Sequence, residues 1–207
     1  VDDLRKALGA ELVNVYGASY GSHLGLAVLR LHGETVQRSI LCLVEGPDDT
    51  HKLPGNADRH FRRLAELARI DASLDGACPD LFAELAEAID ALNNEPAVLS
   101  LKAIDKPVPV GGFGLQCVLG NALGSKRAMR GLPSFARQLA RSDRSALSRR
   151  FDRWLAQSTL QGMPLAMDHA AGASAERLHR IETERRNALL DDSFNLPYPF
   201  IGEQLGV

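Results

Sequence analysis

Cysteine, aromatic residues, long apolar runs and an excess of either charge are all scarce in this sequence, and each scarcity excludes something. The three cysteines, Cys42, Cys78 and Cys117, are far apart, odd in number and without a C-x-x-C pair. That argues against a zinc site and against a closed disulfide framework. Cys78 and Cys117 are able to pair in an oxidising compartment, but buried or idle thiols are the plainer reading. The odd count tilts the chain towards a reducing, cytoplasmic compartment over export. Aromatic residues make up 5% of the 207, so the core must be mostly aliphatic. No apolar run approaches the ~20 residues that a membrane-spanning helix needs, and no membrane partner is expected. Lys and Arg number 24 against 26 Asp and Glu, which leaves no bulk electrostatic footprint for nucleic acid. What is present, 45% hydrophobic and 24% charged residues, excludes a disordered or collagen-like chain.

Residues 2–9 place Leu4, Ala7 and Leu8 at helical spacing and end on Gly9, the pattern of an amphipathic helix with a glycine stop. Residues 11–16 (ELVNVY) are short and β-rich, and Gly17 to Gly21 is a tight turn. Tyr20 to His32 suits a largely buried helix, and residues 36–44 (VQRSILCLV) suit a strand buried on both faces. Together they make one βαβ unit with a right-handed crossover. Gly, Pro, Asp and Asn dominate residues 46–58, after which the pattern turns helical. Helices are predicted over 57–70, over 79–94 with Pro79 in the first turn, from Gly112 through Leu119, and from Pro133 through Leu139. Two more are predicted over 145–158 and from a Ser174 cap to about Leu190. Residues 97–110 are the only later strand-like stretch, cut by Pro107 and Pro109. Residues 163–173 read as a short strand and a loop, and NLPYPFIGEQLGV as a Pro-rich turn and a short helix. The fold class is α/β. Two parallel strands do not stand alone, so most of the sheet is expected before Val1 and after Val207. The chain is then expected to be an internal fragment, partnered by missing N- and C-terminal parts of its own domain.

Gly17-Ala18-Ser19-Tyr20-Gly21 fits G-x-S-x-G. The pattern alone arises by chance about one time in ten in a chain of this length at ordinary Gly and Ser frequencies, so its context decides. A strand that ends at Tyr16 and a buried helix that starts at Tyr20 provide the setting of a nucleophile elbow. The serine hydroxyl must project from a strained strand-to-helix turn, and both glycines are expected to avoid clashes with the neighbouring strand and helix. The backbone N–H of Tyr20 then faces the developing oxyanion, aided by the helix N-terminus. The plain alternative is that Ser19 is only a small residue in a tight turn.

The segment VNVYGASYGSHLGLAVLR resembles the nucleophile segment of the α/β-hydrolases, in the tripeptidyl-aminopeptidase and prolyl-aminopeptidase-like branch. The resemblance continues through LCLVEGPDDTHKLP and PDLFAELAEAIDALNNEP, and less firmly through MDHAAGASAERLHRIETE and NLPYPFIGEQLGV. It implies a partial α/β-hydrolase core with a nucleophile elbow over 1–55, a mostly helical cap over 56–173, and a return segment over 174–207. That cap would cover the carboxyl ends of the strands. The family's first oxyanion segment precedes the elbow and is absent here. Its acid and histidine follow the cap, so the Asp and His of the triad are expected beyond Val207 and residues 1–207 alone are expected to be inactive. The family often carries a cysteine where this chain has His169, so no disulfide is expected there.

Other candidates are weaker. His23 lies one helical turn past Ser19, but its ring projects away from the side where a base must meet Oγ. His32, His51, His60 and His179 read as surface residues, and His169 follows Asp168 in a loop. Glu45 ends the second strand, on the edge where α/β sheets hold ligands. It is placed to hold a substrate's free amine, or else only to order its loop; Asp48 and Asp168 are lesser versions of the same idea. Arg137, Arg141, Arg144, Arg149, Arg150 and Arg153 are interrupted by Asp143 and Asp152, so a solvated helix face is favoured over a nucleic-acid stripe. The expected function is a serine hydrolase that releases residues from peptide N-termini through an acyl-enzyme, with a peptide or a small ester or amide as substrate. No cofactor and no metal are expected. An esterase or acyltransferase on the same fold remains open, as does a non-catalytic interaction module in which Ser19 is incidental.

Overall fold

A computed structural model of the chain describes residues 1–74, 78–157 and 162–196. The fold is mixed α/β. Helix α1 (Asp2–Ala7) ends where Gly9 takes φ 66°. There the Gly9 N–H reaches the Lys6 carbonyl at 3.0 Å and the Ala10 N–H reaches that of Arg5 at 3.1 Å. This paired closure satisfies the last helical carbonyls and needs a residue that tolerates positive φ. Strand β1 (Val13–Ala18), helix α2 (Tyr20–His32) and strand β2 (Val36–Cys42) follow. β1 and β2 pair in parallel, from Val15↔Ser39 to Ala18↔Cys42, and form a two-stranded sheet with no third strand among the described residues.

Helix α3 (Pro54–Ile70) starts three residues before the expected position, because Pro54 serves as a first-turn residue whose missing N–H is not needed. Pro79, expected in the first turn of the next helix, instead precedes its cap. The Asp80 carboxylate accepts the Ala83 N–H at 3.0 Å and opens α4 (Leu81–Asn94). The stretch 97–110 is two strands, not one. β3 (Ala97–Leu101) alternates buried and exposed residues, and β4 (Ile104–Val110) returns antiparallel to it. Pro107 and Pro109 are tolerated because β4 has no second neighbour in this sheet. Helices α5 (Gly112–Ala122), α6 (Lys126–Arg130), α7 (Leu132–Ala140) and α8 (Arg144–Gln157) follow; the short α6 was not foreseen. The expected strand and loop at 163–173 is a helix, α9 (Gly162–Ala171). Its sequence is rich in Ala, Leu and Met, and Pro164 falls in the first turn, where no N–H is needed. Ser174 caps α10 (Ala175–Arg185), accepting the Arg177 N–H at 3.1 Å. This helix stops short of Leu190, and a 3-10 turn covers Ser193–Asn195. The expected structure of the tail falls mostly on residues 197–207, outside the described residues.

The chain divides into two compact units. Among the described residues, the first comprises Val1–His51 and Gly162–Leu178, and the second comprises residues 52–74, 78–157 and 179–196. In this division the first break follows His51, and residues 162–178 group with the βαβ unit. Among the described residues, the hydrophobic core lies in the second unit. Phe61, Leu81, Leu85, Leu99, Leu115 and Phe135 are among its fully buried side chains, and most of its members are aliphatic. Among the described residues of the first unit whose burial is defined, Gly17, Ser22, Gly25, Thr50 and His51 are the buried ones. Val13, Val15 and Leu41 are half-buried, while Tyr16, Ile40, Leu43 and Val44 are exposed. Burying a Val or Leu is worth about 1.5–3 kcal/mol, and this unit gains little of that from its own sheet. Cys42, Cys78 and Cys117 are all free thiols. Burial pushes the Cys78 and Cys117 thiols up to about 11.

Candidate active site

The site is built at the junction of β1 and α2. β1 ends at Ala18, and Ser19 takes φ 54° and ψ −125° before the helix starts at Tyr20. Those angles are uncommon for a residue with a side chain and belong to the strained turns that cluster at functional sites. Two contacts impose them. The Ser19 N–H donates to the Cys42 carbonyl at 3.0 Å and continues the parallel ladder past its last pair. The Ser19 carbonyl accepts both the Ser22 N–H at 2.7 Å and the Ser22 Oγ–H at 2.6 Å, closing the first turn of α2. Gly17 lets strand and helix meet. A Cβ there would stand 2.2 Å from the Gly21 carbonyl oxygen and 2.6 Å from the Gly21 carbonyl carbon. At Gly21 a Cβ would meet nothing within 4 Å, so the clash expected at both glycines exists at only one. The glycine that sets helix against sheet is Gly25, where a Cβ would come 2.6 Å from the Leu41 side chain.

Ser19 is exposed, with its hydroxyl at the head of α2. The first N–H groups of a helix lack intrahelical acceptors and form its positive end. The N–H of Tyr20 is the first of them, and no acidic residue stands in that turn. Among the described residues no histidine nitrogen bonds Ser19 Oγ. His23 donates Nδ1–H to the Gly46 carbonyl at 3.2 Å, and its ring stacks on Tyr20 with centroids 5.7 Å apart and planes 6° from parallel.

No protein-family model matches the chain, and no curated protein and no solved structure is similar to it.

The remaining predicted residues are placed as follows. Glu45 is half-buried beside the first turn of α2, and its N–H donates to Ser22 Oγ at 2.9 Å. Asp48 is engaged elsewhere. One carboxylate oxygen accepts the Ser174 N–H at 2.6 Å and the other accepts the Ser174 hydroxyl at 2.7 Å. The Ser174 N–H, then its hydroxyl, and further the Arg177 guanidinium hold the Asp48 carboxyl below the usual carboxylate range. Asp168 and His169 lie on α9, where a loop was expected. His51, read from sequence as a surface residue, is buried, and its carbonyl accepts Arg177 Nε–H at 2.7 Å. His32 closes α2, half-buried, while His60 on α3 and His179 on α10 are exposed. Of the arginines read as a solvated face, Arg150 is an exception. Its guanidinium lies 4.1 Å from the centre of the Phe135 ring and donates to the Gly131 carbonyl at 3.1 Å.

Three features had no clear signal in the sequence. Ser22 is fully buried and links the Ser19 carbonyl to the Glu45 N–H. Leu43 has φ 51° at the end of β2. The first turn of α10 grips the loop after β2, with Arg177 bridging Asp49 at 2.8 Å and the His51 carbonyl. No group of three or more metal-ligating side chains lies close together among the described residues, and no described helix is long and apolar enough to cross a membrane.

Proposed function

We propose that Ser19 is the nucleophile of a serine hydrolase of the α/β-hydrolase kind, acting on peptide N-termini. The observation that carries this reading is the backbone of Ser19, at φ 54° and ψ −125° between a parallel strand and a helix, with Gly17 pressed against Gly21. A strained strand-to-helix turn of this kind exposes a serine hydroxyl at the carboxyl end of a sheet. In the proposed reaction Ser19 Oγ attacks the scissile carbonyl and gives its proton to a general base. The Tyr20 N–H donates to the oxyanion. The C–N bond breaks, the leaving amine takes the proton, and water then hydrolyses the Ser19 ester. The base and its acid are assigned to residues outside 1–207, because His23 is committed to Gly46 and no other described histidine meets Ser19. Glu45 is assigned the substrate's free amine, supported by its place beside the first turn of α2.

The test is made on the protein that carries this chain. A fluorophosphonate probe should label Ser19, and Ser19→Ala should abolish that labelling; undiminished labelling of the variant overturns the assignment. No labelling of the unmodified protein favours the non-catalytic module, to which the bare Ser19 hydroxyl also fits. Glu45→Gln should weaken cleavage of free-amine peptides by about tenfold or more, as expected when a charge-assisted hydrogen bond is lost, and leave amine-blocked esters nearly unchanged. Equal loss on both substrates would mean that Glu45 only orders its loop, and would favour an esterase.

A further inference from the structure

We propose that Leu43 is a specificity-determining residue, the apolar wall against which the acyl group of the substrate lies while it is bonded to Ser19. This rests on the hydrolase reading of Ser19. Among the described residues of the first unit, two with side chains have positive φ, Ser19 at 54° and Leu43 at 51°. They are neighbours across the sheet. Ala18 and Cys42 are the last register partners of β1 and β2, and each strained residue comes immediately after one of them. For a bulky aliphatic residue this backbone is a genuine outlier, and such outliers persist only where the surroundings impose them.

The constraint is visible on both sides of Leu43. Behind it, the Cys42 carbonyl accepts the Ser19 N–H at 3.0 Å. Ahead of it, the Glu45 N–H donates to the buried Ser22 Oγ at 2.9 Å. Only Leu43 and Val44 connect these anchors, so the chain must pass along the first turn of α2 in two residues. Glycine or asparagine would take the Leu43 backbone at lower cost. The leucine therefore carries a strain that the two anchors hold in place. That side chain is 81% exposed, and its backbone follows the last residue of β2 as Ser19 follows the last residue of β1. The chemistry of that position calls for an apolar acyl group: an aliphatic wall, followed by the exposed Val44, beside a serine at the positive end of a helix.

The experiment uses the protein that carries this chain, with p-nitrophenyl acetate, butyrate and octanoate as substrates. Two variants separate contact from strain. Leu43→Asn keeps a residue that accepts positive φ and removes the apolar wall. Leu43→Gly removes the wall and the strain together, and covers the case in which the first variant fails to fold. In both, kcat/KM for octanoate relative to acetate should fall by about tenfold, while fluorophosphonate labelling of Ser19 persists. Labelling with an octanoate-to-acetate ratio that stays within about twofold of the original overturns the subsite and leaves the hydrolase reading standing. No labelling of the unmodified protein overturns the hydrolase reading, and the subsite with it.

Discussion

Gly17 and Gly21 flank the same serine and look equivalent in the sequence, yet their surroundings differ. A methyl group at 17 would be driven into the Gly21 carbonyl, which is backbone and cannot swing aside, while the space around Gly21 is open. Gly17→Ala should therefore destabilise the first unit by about 1–3 kcal/mol or more, as overpacking does. Gly21 lies in the first turn of α2 without positive φ, so Gly21→Ala should be neutral or stabilising by about 0.5–1 kcal/mol. Thermal unfolding of the two variants followed by circular dichroism checks both, and equal destabilisation would refute the asymmetry. A motif records which residue types occur, not which neighbour each one meets. That is why the strain at Ser19 was legible from its glycines and the strain at Leu43 was not. Leu43 is bent between two hydrogen bonds of its neighbours, the Ser19 N–H to the Cys42 carbonyl and the Glu45 N–H to Ser22 Oγ, that no local pattern announces.

At the scale of elements, helix α2 was legible to the residue, because a glycine turn precedes it and its apolar pattern is continuous. The β3–β4 hairpin was read as one stretch, since its two-residue connection Lys102-Ala103 carries none of the usual turn residues. The joint between α10 and the loop after β2 was equally hidden, because its partners lie 126 residues apart. It has a pH signature. The Asp48 carboxyl titrates lower in the folded chain than in the unfolded one, so its contribution is full above the unfolded value of about 4. That contribution is lost as pH falls through the lower folded value. The first unit of the wild type should thus lose stability below about pH 4 more steeply than Asp48→Asn does, measured by chemical denaturation across pH 2–6. Ser174→Ala removes both the partner of Asp48 and the cap of α10, and should cost about 1 kcal/mol at neutral pH. Parallel pH curves for wild type and Asp48→Asn would mean that the contact contributes nothing.

At the scale of the whole molecule, the sequence located a βαβ unit and a helical region, and two strands too few to stand alone already implied that Val13, Val15, Leu41 and Leu43 would be poorly covered. The apolar run at 36–44 reads as a strand covered on both faces, yet Ile40, Leu43 and Val44 are exposed, and among the described residues of the first unit no large apolar side chain is fully buried. Among the described residues the buried core lies in the second unit, where Leu115, Val118, Leu119 and Ala122 of α5 are all buried. Local opening free energies follow buried apolar contact, so the two units should differ sharply in amide hydrogen exchange when residues 1–207 are studied alone. The amides of α4, α5, α7 and α8 should exchange slowest, near the global limit. Those of β1, α2 and β2 should exchange faster by about two orders of magnitude or more, equivalent to roughly 3 kcal/mol less protection. The ladder bonds of β1 and β2 are formed in the structure, so fast exchange there would report missing side-chain cover and not missing hydrogen bonds. Protection of β1 and β2 equal to that of α5 would contradict this, and would require the exposed face around Ile40 and Tyr16 to be covered in solution. Repeating the measurement at several protein concentrations distinguishes a second copy of the chain as that cover, since only self-association makes the protection rise with concentration.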